Sequence, residues 1–132
     1  MKLEQQVVSL DLAKRLKELG VRQESLVVWV NSNPAKWELR ILNSNELQTV
    51  PLDEPNTYSA FTVAELGEML PKGYVTGRSK AEDSEKCFCR PDVGGKKLDH
   101  LTIADTEADA RAKMLIYLLE KNLISPSAPG IS

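Results

Sequence analysis

The sequence predicts a small α+β domain, and three observations carry that prediction. Residues that cap helices open three segments whose apolar positions recur at helical spacing. Between them lie short β-branched and alternating runs, the pattern of half-buried strands. Asn, Ser, Gly and Pro cluster where the runs end, as turns require. The order helix, hairpin, helix, hairpin, helix predicts an antiparallel sheet of hairpins with three helices packed on one face, a two-layer arrangement. At 132 residues the chain has the length of one domain. Positions 1–124 read as that single α+β domain, and 125–132, SPSAPGIS, as a flexible tail.

The first helix is expected over Leu10–Leu19, with Ser9 at its N-cap. Leu12, Ala13, Leu16 and Leu19 form its apolar stripe, and Gly20 supplies the left-handed residue that ends it, with Val21 folding back on Leu16. The second is expected over Val63–Leu70. Thr62 and Glu65 have capping-box spacing, and Phe61 and Leu66 sit at the positions of a hydrophobic staple. Pro71 stops it. The third is expected over Glu107–Lys121, capped by Asp105 or Thr106, with Glu107 and Asp109 near its positive end. Its stripe of Ala108, Ala112, Leu115, Leu118 and Leu119, widened by Ile116 and Tyr117, marks a central packing element, and Asn122 is its left-handed stop.

The first hairpin is read as Leu26–Val30 with Trp37–Leu42, turned by Asn31, Ser32, Asn33 and Pro34. Placing Val28, Val30 and Leu39 on the core side turns Trp29 to the opposite face. A second hairpin pairs Glu85–Arg90 with Lys97–Ile103 across Pro91–Lys96, where Gly94 and Gly95 make the turn. Thr76–Asp83 is polar and reads as a loop at the sheet edge. Asn43–Asn56 reads as a long connection holding a short strand over Leu47–Val50.

Hydrophobic residues make up 42% and charged residues 27% of the chain, an ordinary globular balance that needs no staple to fold. The 17 basic and 19 acidic side chains leave a net charge of −2, which disfavours a nucleic-acid partner, whose phosphates call for a basic excess. The opening MKLEQQVVSLDLAKRLKELG lacks the apolar core of a signal peptide, and Met114–Leu119 is too short to span a bilayer. Two cysteines one residue apart make no disulfide framework. The expectation is a cytoplasmic protein without membrane association.

No motif commits the chain to chemistry. Cys87 and Cys89 point to one face of a strand and, with His100 and either Asp92 or Asp99, could form a metal set. They read more simply as small apolar residues in a strand. A Cys–His nucleophile would need the single histidine within reach of a thiol and a group orienting it, and no such motif surrounds either cysteine. The carboxylates at Glu65, Asp105, Glu107 and Asp109 belong to helix starts, and those at Glu82, Asp83 and Glu85 to a polar loop. Gly94 and Gly95 lie in no phosphate-binding loop. LAKRLKELGVRQESLVVWV suggests a helix-turn-helix, but its second segment is β-branched.

The stretches SLDLAKRLKELGVRQES, YSAFTVAELGEML and ADTEADARAKMLIYLLEKNLI together resemble an uncharacterised family of small proteins of bacteria and their phages or prophages. The resemblance covers about half the chain and implies an accessory role in a mobile element or its host. It carries over no catalytic or binding residue. The sequence therefore favours a non-enzymatic interaction protein with another protein as partner, no catalytic residue, no cofactor and no metal. Trp29, if exposed on its strand, is the candidate contact, because exposed aromatics anchor interfaces. The alternative is a DNA-binding regulator using the helix-turn-helix-like N-terminal segment.

Overall fold

Local capping chemistry sets where the helices begin and end. Thr62 and Glu65 close a full capping box: Thr62 Oγ1 accepts from the Glu65 N–H at 3.1 Å, and the Thr62 N–H donates to Glu65 Oε1 at 2.9 Å. Thr106 Oγ1 accepts from the Asp109 N–H at 3.1 Å. Both longer helices close in Schellman motifs. Gly20, at φ 90°, lets the Val21 N–H reach Leu16 O at 3.1 Å. Asn122, at φ 58°, does the same for the Leu123 N–H and Leu118 O at 2.9 Å. Ser9 is an N-cap by position, but its hydroxyl makes no capping bond. Its backbone N–H instead donates to Asp109 Oδ1 at 2.7 Å, tying the start of one helix to the start of another.

The computed structural model describes residues 2–23, 25–33, 36–41, 57–81, 84–91 and 101–124, and the chain is α+β. The elements run α1 (Leu3–Gln6), α2 (Leu10–Glu18), β1 (Val27–Asn33), β2 (Lys36–Ile41), β3 (Thr57–Ser59), α3 (Val63–Met69), β4 (Tyr74–Ala81), β5 (Ser84–Pro91), β6 (Thr102–Ala104) and α4 (Glu107–Glu120). The strand expected over Leu47–Val50, and the stretch 92–100 with the glycine turn and His100, lie outside the described residues.

The strands form two antiparallel three-stranded sheets, ordered β2-β1-β3 and β4-β5-β6, where a single sheet was expected. Helix α4 packs on all three strands of the second sheet, and α1, α2 and α3 pack on the same helix. Helix α2 also reaches β3 of the first sheet, so the helices join the two sheets. The central role expected for α4 follows from its composition. Eight of its residues are buried, including Ala108, Ala110 and Ala112, and small side chains let neighbouring elements approach closely. The main core gathers Leu16, Phe61, Leu66, Met114, Leu115 and Leu118 around it. A smaller cluster of Val7, Val27 and Ala60 lies under the first sheet.

Two sequence expectations need correction. Thr76–Ala81 does not form a loop: Tyr74–Ala81 is strand β4, paired with β5 from Tyr74↔Pro91 to Ala81↔Ser84, and the last two residues of the expected loop lie outside the described residues. An edge strand is held by its backbone ladder, so it needs no apolar alternation. One of its outward positions is Gly77, where a Cβ would lie 2.8 Å from the Phe88 ring. The hairpin register also differs. Trp29 pairs with Leu39 on one side and Tyr58 on the other, so Trp29 and Leu39 share a face, and Val28 lies on the opposite face with Arg40 and Ser59. Val27 and Val28 are both buried, so β1 is covered on both sides.

The α3–α4 contact depends on Gly67. A Cβ there would lie 2.5 Å from Arg111 Nη1. That guanidinium is held by Val63 O at 2.7 Å and Thr76 Oγ1 at 2.8 Å. No helix among the described residues is long and apolar enough to cross a membrane.

Candidate functional site

Trp29 is half-buried and packs against both apolar clusters. Its indole N–H donates to Val8 O at 3.0 Å. Val8 in turn donates its N–H to Phe61 O at 2.9 Å, and Val7 bridges to Thr62. The indole thus helps hold the N-terminal segment on the body of the protein.

The basic side chains of α2 are also engaged inside the molecule. Lys14 Nζ lies 5.2 Å from the centre of the Trp37 ring, and Lys17 Nζ lies 5.0 Å from that of Tyr58 and donates to Thr57 O at 2.9 Å. Arg15 Nη2 meets Glu120 Oε2 at 2.6 Å. Among the described residues the element that follows α2 is strand β1, so no recognition helix follows α2 in the helix-turn-helix order.

Cys87 and Cys89 point to the same face of β5, as their spacing requires, and both are buried and unbridged. Burial pushes the Cys89 thiol up, against a hydrogen bond with Thr76 and the charge of Arg111, which leaves it a weak nucleophile at neutral pH. Cys87 lines a cleft of about 390 Å³ with Gln5, Val63, Arg78 and the residues that open α4. Its Sγ lies 3.9 Å from Asp105 O, and Arg78 Nε pairs with Glu107 Oε1 at 3.5 Å across the rim. No group of three His, Cys, Asp or Glu side chains among the described residues is placed to hold a metal ion.

The second sheet carries a feature that the sequence pattern concealed. Its inner face, with Cys87, Cys89, Thr102 and Ala104, is buried. The register places Phe88 opposite Ile103 and Gly77, and Arg90 opposite Val75, on the outer face. Ile103 is 51% exposed and Leu101, two residues before it, 47% exposed. The Arg90 guanidinium lies 6.0 Å from the Phe88 ring centre. An antiparallel sheet covered on one side ordinarily turns polar residues to water on the other, so apolar side chains there form a surface in need of explanation. Leu101 and Ile103 also line an open groove of about 500 Å³, together with Leu12, Ile116, Tyr117, Arg15, Lys113 and Glu120.

Two carboxylates at the start of α4 titrate in opposite senses. Burial pushes the Asp109 carboxyl up from its ordinary value, against the Ser9 hydrogen bonds and the charge of Lys113. The exposed Asp105 is held below its ordinary value by its hydrogen bond and charge interaction with Lys86. A raised folded value means that the folded chain keeps the Asp109 proton longer than the unfolded chain does. The contribution of Asp109 to stability therefore falls as pH rises through and just above the ordinary carboxylate range, and the contribution of Asp105 is lost as pH falls. Asp109→Asn keeps an acceptor for the Ser9 N–H without the buried charge. Its urea midpoint is expected to gain on the wild type over the interval in which pH rises through and just above the ordinary carboxylate range. A constant difference across that interval would contradict the assignment to burial.

No family model, no curated protein and no solved structure matches the chain.

Proposed function

We propose that this protein is a non-enzymatic interaction protein of the bacterial or phage cytoplasm, and that it works by binding another protein through the outer face of the second sheet. The observation that carries the reading is Ile103, about half exposed opposite Phe88 on the outer face of the second sheet, with the half-exposed Leu101 two residues before it. The accessory role in a mobile element or its host rests on the resemblance of the segments around α2, α3 and α4. Two buried, unbridged cysteines suit a reducing compartment. The engagement of Lys14, Arg15 and Lys17 within the fold supports a protein partner over DNA.

The test is capture of partners by the tagged full chain from its native host, with and without nuclease, read by mass spectrometry. A stoichiometric protein retained after nuclease is the expected result. Recovery that disappears with nuclease, together with salt-dependent binding to duplex DNA, would overturn the reading in favour of a nucleic-acid partner.

A further inference from the structure

We draw no further inference here: the strongest candidate, the cleft of about 390 Å³ where Gln5, Arg78 and Cys87 meet the start of α4, joins a helix N-terminus to a buried thiol and to a guanidinium already paired with Glu107, and no second observation among the described residues points to a ligand there.

Discussion

Trp29→Ala is expected to lower unfolding stability by about 3 kcal/mol, because it removes a large side chain packed between two apolar clusters. Part of the loss comes from the indole N–H, which donates to the carbonyl of the fully buried Val8. Trp29→Phe separates the two contributions. It keeps most of the ring packing and removes the donor, and is expected to cost about 1 kcal/mol. The N-terminal segment is joined to the body through Trp29, Phe61 and Thr62. Amide exchange in α1 and at Val7 and Val8 should therefore accelerate in Trp29→Ala more than exchange in α4. The same pair of variants separates a structural tryptophan from a contact residue. Trp29→Phe is expected to bind the partner as the wild type does, and a Trp29→Phe chain that is stable but unable to bind would return Trp29 to the interface. Urea unfolding followed by circular dichroism measures the energies.

Phe61→Ala is expected to be more damaging, at about 4 kcal/mol. Phe61 is 1% exposed and is the largest fully buried side chain among the described residues. It stands before the Thr62 cap at the staple position, with Leu66 at 0% exposure one turn into α3. Its carbonyl accepts the Val8 N–H at 2.9 Å. The residue therefore fixes three things: the entry of the chain into α3, the seat of the N-terminal segment, and the core beneath α4. Phe61→Leu, which keeps apolar volume at the site, is expected to recover more than half of the loss. Equal losses in Phe61→Ala and Phe61→Leu would mean that ring shape matters more than burial.

The parts of the fold that were legible from sequence are those set by local chemistry. Thr62 with Glu65, Gly20, Thr106 and Asn122 act within one helical turn, so their spacing alone placed α2, α3 and α4 to within one or two residues. The hairpin of β1 and β2 was legible because Trp37–Ile41 alternates. The missed elements depend on distant partners. Strand β4 pairs Thr76 with Cys89 and Arg78 with Cys87, and nothing in TGRSK announces those contacts. Strand β3 is three residues long, and α1 four. Glu65 was legible as a cap, but its further bonds, from Ser25 Oγ at 2.7 Å and the Leu26 N–H at 3.3 Å, join segments some forty residues apart. The candidate surface was hidden for the same reason. Phe88 and Ile103 stand fifteen positions apart, and only the β5–β6 register puts them side by side. The sequence pointed to Trp29 because β-strand alternation alone cannot say which face of β1 is covered, and both are.

The most direct measurement compares capture from the native host by the wild-type chain and by Leu101→Thr/Ile103→Thr after nuclease treatment. Both substitutions keep a polar or β-branched residue suited to a strand at an exposed position, so the circular dichroism spectrum and urea midpoint of the double variant should match those of the wild type. The wild type is expected to retain a stoichiometric protein, and the folded double variant to lose it. A folded double variant that retains the same partner at the same yield would contradict this and place the binding surface elsewhere on the molecule.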